Sequence, residues 1–495
     1  MTLAAIVVVM LAAVLIGAFG LRLSRTTSDF YVASRTVTPL WNASAIGGEY
    51  LSAASFLGIA GLIMTFGADM LWLPVGWTGG YLVLLVLVSA PLRRSGAYTL
   101  PDFAEARLES MAVRRTASVL VVLIGWLYLM PQFQSAGLVL REVTGAPGWV
   151  GGALVAAVVA VNVLSGGMRS ITFVQAFQYW LKLTALALPV VFLLMAWKAD
   201  GAPALSAHDA ATWQLPLANG REYGLYSTYS LILATFLGTM GLPHVLVRFY
   251  TNPDGRAARR TTLVVLTLLG AFYLLPAIYG WLGRIYAPDL ARTDTVVLAL
   301  PGRLVDGPFG DVLTALVTAG AFAAFLSTSS GLTVSVAGVI AQDLLGGGVR
   351  SFRWATLAAV SVPLVLALWA RALPVADVVG LAFAVAASSF CPLLVLGIWW
   401  RRLTSAGALA GLFTGGGLAS AAVLATIIGG PYDGVLNALL AQPAAWTVPV
   451  AFTVMIVVSL LTPQAIPVGV ARTMVRLHTP EILNLDRGDW RPRSM

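Results

Sequence analysis

A carboxylate opens one of the most apolar stretches of the chain. Glu49 heads "EYLSAASFLGIAGL" (49–62), with Gly47 and Gly48 just before it and Gly58 and Gly61 within it. An ionisable side chain inside a membrane is costly, and where one occurs it marks an ion path, a proton relay or a buried pair. A second interrupted stretch, "FLGTMGLPHVLVRF", carries Gly238, Thr239, Gly241, Pro243 and His244. A third, "AGAFAAFLSTSSGLTVSVAGVIAQDLL", places Ser327, Thr328, Ser329, Ser330, Thr333 and Ser335 within nine positions. A lone serine in a spanning helix usually bonds back to the carbonyl one turn earlier. Six hydroxyls so close together, near main-chain carbonyls freed by a broken helix, offer the uncharged oxygens that a hard cation such as sodium takes as ligands.

These residues need a frame. Of the 495 residues 59% are hydrophobic and 10% charged, against about 25% charged in a soluble domain, so the class is all-α polytopic membrane protein. The formal charge of +9 reads as membrane topology, with no nucleic-acid partner. The one cysteine, Cys391, rules out an internal disulfide and reads as a small buried hydrophobe. At about 20 apolar residues per span, thirteen spans are expected: 2–21, 40–66, 69–91, 117–140, 148–165, 171–197, 225–250, 261–286, 310–341, 354–370, 375–399, 403–428 and 444–462. With the N-terminus outside, 22 of the 30 basic residues, Arg248 among them, fall on the inner side, 7 on the outer, and Lys182 inside a span. That asymmetry supports the count, an outside N-terminus, a cytoplasmic C-terminus and a multi-pass place in the cell membrane. The first apolar run has no basic residue before it and Arg22 just after, which reads as an uncleaved helix.

The glycine and proline breaks fall in the second and seventh spans. Five spans of separation, an odd number, set the two halves in opposite orientation, as an inverted-repeat transporter requires; close packing through small residues is the other reading of either break alone. One buried His with scattered carboxylates provides no catalytic cluster, no segment is long enough for a signalling domain, and broken helices at one depth are no continuous pore lining, so an enzyme, a sensor and a channel are disfavoured, and no obligate protein partner is evident.

Several blocks together, "SDFYVASR" (28–35), "LSAASFLGIAGL" (51–62), "GLPHVLVRFYT" (241–251), "SGLTVSVAGVIAQDLL" (330–345) and "VGLAFAVAASSFCP" (379–392), resemble the sodium:solute symporter family, and within it the acetate and monocarboxylate permease branch. The resemblance covers about residues 25–410. It implies a leucine-transporter-like five-plus-five core at 40–399, with repeats 40–197 and 225–399. An extra helix and loop (1–39) would precede it, and two helices (400–463) and a cytoplasmic tail (464–495) would follow. It also implies a sodium site at the carbonyls of Gly48, Leu51 and Ala324 and the hydroxyls of Ser327 and Thr328. Some relatives in the acetate branch carry aliphatic residues at the two hydroxyl positions; here both hydroxyls are present, which favours sodium over a proton.

In that frame Glu49 tunes the field around the cation, or else faces a vestibule or pairs with a basic residue. Gln175, Gln178 and Lys182 form one face of the sixth span by their spacing of i, i+3, i+7. In other members of this fold a lysine in the equivalent helix stands in for the cation and makes the proton the coupling ion; otherwise Lys182 partners a carboxylate such as Glu49 or lines a vestibule. Ser52, Gln132, Gln134, Gly238, Thr239 and Gly241 are the expected substrate contacts, with kink support beside Pro131 as the alternative for the two glutamines. His244 is either a proton relay or a packing residue. No arginine is visible at mid-depth, which fits a small anion or a neutral solute. The expected function is sodium-coupled uptake of a small monocarboxylate such as acetate, with a proline-like amino acid, another neutral solute, or proton-coupled monocarboxylate uptake as alternatives.

Overall fold

A computed structural model describes residues 1–21, 37–213, 222–370, 374–429, 432–481 and 483, all in helices, turns and short connections. The "SDFYVASR" block, the rest of the loop after the first helix, Arg221, Arg371 and the end of the tail lie outside the described residues. Eleven helical runs are long and apolar enough to cross a bilayer, and Thr2–Ala18 is a shorter apolar helix. One of the eleven, Ala54–Ser95, holds 42 residues, about 63 Å at 1.5 Å per residue and roughly twice the hydrocarbon thickness. It turns at Gly67, where φ is +77°, a conformation that glycine adopts without strain, and so makes two passes. With these two additions the passes reach thirteen.

The helices that build the centre are α1 (Thr2–Leu21), α2 (Pro39–Tyr50), α3 (Ile59–Phe66), α4 (Trp72–Val83), α5 (Met111–Thr144), α6 (Gly148–Ala199), α7 (Gly224–Gly241), α8 (Pro243–Tyr250), α9 (Gly255–Tyr286), α10 (Gly307–Val339), α11 (Val349–Trp369) and α12 (Val375–Trp399). The fifth and sixth spans were expected as separate helices. Instead α6 stays helical through the Ser165–Ser170 connection, 52 residues in all, and holds the apolar spans Gly148–Ser165 and Ser170–Ala199. Each of these is long enough for one pass.

α10 and α12 are the axis of the bundle. α10 is buried from Val317 to Val339 and packs on α6, α5 and α1, while α12 is enclosed by α7, α5 and the helix Ala444–Leu461. Small residues allow these approaches. A Cβ on Gly238 or Gly241 of α7 would run into the main-chain carbonyls of Phe383 and Ala386 on α12, so both glycines serve helix packing.

Both expected breaks are present. α2 ends at Tyr50, Leu51 leaves helical geometry with φ −73° and ψ 85°, and helix resumes in a wide turn at Ala54–Gly58 that continues into α3. α7 ends at Gly241, Leu242 is extended with φ −74° and ψ 116°, and Pro243 starts α8. Proline drives the residue before it out of helical geometry and lacks the N–H that a first helical position would leave unpaired.

Candidate functional site

A broken helix leaves main-chain carbonyls without their usual partners. At the end of α2 those of Gly48, Glu49 and Leu51 are met by side chains from two other helices. The ammonium of Lys182, from α6, donates to the Gly48 carbonyl at 2.5 Å, the Leu51 carbonyl at 2.7 Å and the Ser327 hydroxyl at 2.9 Å. Ser327 Oγ, from α10, lies 2.6 Å from the Gly48 carbonyl and 3.1 Å from that of Ala324, and Thr328 Oγ1 donates to the Glu49 carbonyl at 2.6 Å. Of the five expected ligand positions, Gly48, Leu51 and Ser327 therefore contact the Lys182 amine directly, Ala324 joins them through the Ser327 hydroxyl, and Thr328 bonds instead to the neighbouring Glu49 carbonyl. The centre of this oxygen cage is held by the amine of the chain's own Lys182, which is fully buried.

Two glycines make the approach possible. A Cβ on Gly48 would enter the main-chain carbonyl of Gln175 in α6, and a Cβ on Gly331 would enter the Glu49 carboxyl. Gln175 closes the arrangement, its Nε2 donating to the Ser327 carbonyl at 2.7 Å.

The Glu49 side chain turns away from the cage and pairs with Arg248 of α8, whose Nε donates to Glu49 Oε2 at 2.8 Å; the two side chains are 2% and 1% exposed. Arg248 also donates to Thr172 Oγ1 at 2.7 Å and to Gln175 Oε1, and its main-chain carbonyl accepts from Asn42 at 3.1 Å. This corrects the sequence reading, which assigned Arg248 to the inner loops and saw no arginine at depth. α8 restarts at the break and runs eight residues, so a position five residues beyond Pro243 is still inside the bundle. Lys182, in turn, forms no ion pair with Glu49. Two basic side chains and one acidic one thus share a buried volume around the Gly48 main chain, and Thr172, Asn42 and Arg248 belong to the cluster although the sequence did not single them out. A buried carboxylate needs a partner, and the basic residue following the second break was the available signal.

The expected substrate contacts divide. Thr239 Oγ1 meets the Tyr50 hydroxyl at 2.7 Å, and Gln132 Oε1 accepts from the Ala53 N–H at 3.0 Å, capping the restarting helix. Ser52 is buried and its side chain hydrogen-bonds to Tyr128; both ring nitrogens of His244 are buried without a partner, and its ring stands edge-on to Tyr128 at 5.3 Å. Tyr50, Trp77 and Tyr128 surround Phe383 at ring distances of 6.1, 5.7 and 5.8 Å, so an aromatic shell with unpaired polar edges lies beside the first break. Gln134 does not join this group. Its Nε2 donates to the Ala367 carbonyl at 3.1 Å, and it lines a separate cavity of about 260 Å³ together with Arg141 and Arg292. Gly238 and Gly241 are accounted for by packing on α12.

At the sequence level, the profile of the sodium:solute symporter family matches residues 30–415. An uncharacterized symporter, YwcA, of Bacillus subtilis is 32% identical over 465 residues, covering 88% of this chain and 89% of the relative. A monocarboxylic acid transporter of Corynebacterium glutamicum is 32% identical over 438 residues, covering 80% and 78%. Among solved structures, a Na+-coupled sialic acid symporter in a substrate-bound outward-open state aligns with a TM-score of 0.72 at 14% identity, over 93% of this chain and 97% of its own. MhsT in complex with L-phenylalanine aligns with a TM-score of 0.57 at 16% identity, over 85% and 98%. The fold is thus the leucine-transporter-like one, and the protein is a multi-pass membrane transporter and not an enzyme. By its sequence profile and its relatives, the chain belongs to the sodium:solute symporter family.

Proposed function

We propose that the chain is a secondary symporter that takes up a small monocarboxylate such as acetate by alternating access, driven by a monovalent cation bound at the Gly48, Leu51, Ala324, Ser327 and Thr328 oxygens. One observation carries the reading: the Gly48 and Leu51 carbonyls freed by the α2 break and the Ser327 hydroxyl of α10 converge on the Lys182 amine, with Thr328 bonded to the adjoining Glu49 carbonyl. A group of neutral oxygens that accommodates an ammonium provides the electron-rich, compact surroundings that a sodium ion also takes. Family membership supports sodium as that ion, and the Corynebacterium relative supports a monocarboxylate as the solute. On this reading sodium enters the cage when Lys182 withdraws. Glu49 and Arg248 hold α2 and α8 together beside it, and Ser52, Gln132 and Thr239 face the solute. Residues 40–399 form the transporting core, the N-terminus is outside and the C-terminus cytoplasmic.

Lys182 favours a second reading of the coupling ion. A cage filled by a tethered ammonium needs no exchangeable metal, and the charge that then comes and goes is the proton on Lys182, which makes the cargo a proton and a monocarboxylate. The driving force is modest in either case. One monovalent cation moving with one monocarboxylate carries no net charge, so a tenfold cation gradient supplies about 1.4 kcal/mol, or roughly tenfold accumulation. A second cation would add about 2.3 kcal/mol per 100 mV of membrane potential.

Uptake of labelled acetate, pyruvate and proline into proteoliposomes tests the solute. Acetate and pyruvate are expected to accumulate and to compete with each other. Proline accumulation with no effect of excess acetate would replace this reading with that of an amino-acid symporter. Repeating the acetate assay with a sodium gradient alone and a pH gradient alone assigns the coupling ion.

A further inference from the structure

On the arginine-rich side of the bundle, where α6 and α11 run past each other, seven residues line an open cavity of about 610 Å³: Val161, Leu164 and Ser165 of α6, and Arg350, Arg353, Trp354 and Leu357 of α11. The four α11 residues follow the spacing i, i+3, i+4, i+7 and so form one stripe on one helix face; Trp354 is 62% exposed. Their order is graded. Arg350 and Arg353 stand at the start of the helix, Trp354 comes next, and Leu357 lies seven residues in from Arg350, about 10 Å deeper at the helical rise. α6 shows the matching gradient, with Ser165 at the connection toward Arg169 and the aliphatic Leu164 and Val161 away from it.

The cavity therefore has a cationic rim, an aromatic collar and an aliphatic floor. Among the described residues no acidic side chain lines it. Neither arginine has an ion-pair or hydrogen-bond partner among the described residues, although other surface arginines do: Arg303 pairs with Asp289 at 2.6 Å and Arg94 with Glu481 at 3.3 Å. The first amides of α11 also point their positive end toward the rim. We propose that this groove is a binding site for an anionic glycerophospholipid of the cytoplasmic leaflet. Its phosphate lies between Arg350 and Arg353, its glycerol region against Trp354, and one acyl chain along Leu164, Val161 and Leu357. The occupant is a lipid because the charged end and the apolar floor are stacked along the membrane normal, as headgroup and chain are, and because basic pockets between helices at that face hold anionic headgroups. This inference is independent of the transported solute.

Native mass spectrometry of the full-length protein in detergent tests it, with phosphatidylglycerol or phosphatidylcholine of identical chains added at matched concentrations. The wild-type protein is expected to retain phosphatidylglycerol preferentially. At about 1 kcal/mol per arginine near the surface, Arg350→Gln with Arg353→Gln is expected to weaken that retention by roughly 30-fold and to weaken much less the retention of phosphatidylcholine, whose phosphate is already offset by its own choline. Equal retention of the two lipids by the wild type would overturn the proposal, as would undiminished phosphatidylglycerol preference in the double variant. Should that variant not fold, Arg353→Gln alone is expected to weaken retention about fivefold, and Trp354→Leu to reduce retention of both lipids alike. Retention unchanged in the Arg353→Gln protein would also overturn it.

Discussion

Replacing Glu49 by Gln removes the only acidic partner that Arg248 has among the described residues. The guanidinium would keep its contacts to Thr172 and Gln175, yet it would stay 1% exposed with Lys182 as the nearest other charge in the cluster. Breaking a buried pair by removing one partner costs about 3–5 kcal/mol, mostly because the survivor remains desolvated. The mirror variant, Arg248→Gln, leaves Glu49 in the same position and belongs in the same range. Removing both charges together takes away that penalty, so the double variant is expected to be less destabilised than the sum of the singles by about 2–3 kcal/mol, within the span that contacting residues show in such cycles. The assay is unfolding of the purified protein in a fixed detergent, followed by tryptophan fluorescence, for the wild type and all three variants. Strictly additive losses would refute the claim that Glu49 and Arg248 form a mutually dependent pair. Singles with almost no effect would place both side chains in water.

Other consequences are equally direct. Gly48→Ala is expected to abolish transport or folding, since its Cβ would occupy the main-chain carbonyl of Gln175, which has no rotamer by which to move; purified Gly48→Ala protein with wild-type uptake would show that α2 and α6 do not approach so closely. Outside the spans, Asp102 of the short helix Leu100–Leu108 is buried, and desolvation outweighs its Arg114 partner and lifts its carboxyl to about 6. A carboxyl raised on folding holds its proton more tightly in the folded state, so its stabilising contribution is complete below about pH 4 and lost as pH rises through 6. Thermal stability of the wild type between pH 5 and 7.5 should therefore fall more steeply than that of Asp102→Asn, and parallel profiles would show that Asp102 is solvated.

The residues explain how far the sequence could be read. Spans follow from apolar length, and both breaks follow from glycines and a proline whose backbone preferences are local. The hydroxyl cluster of α10 was visible because six such side chains in nine positions exceed what self-capping needs. Convergence was harder to see. That Lys182 lies on an inward stripe follows from helical periodicity, but that its amine reaches the Gly48 and Leu51 carbonyls depends on where α6 crosses α2, which is set by contacts between residues more than a hundred positions apart. Arg248 was misplaced because hydropathy ends a span at the first basic residue, whereas a helix restarted by Pro243 keeps that residue within the bundle. Gln134 lies two residues beyond Gln132, about 200° around a helix, and so opens toward a different cavity.

Cation-driven uptake requires the α2 break and the α10 hydroxyls to form one cage through which the cation drives the solute. The most direct measurement is the steady-state accumulation ratio of labelled acetate in proteoliposomes under a tenfold gradient of whichever ion drives the wild type, compared with the Ser327→Ala, Thr328→Ala double variant. The wild type is expected to approach the roughly tenfold ratio that 1.4 kcal/mol allows, while the variant equilibrates acetate without accumulating it. A variant that concentrates acetate as far as the wild type would contradict the account.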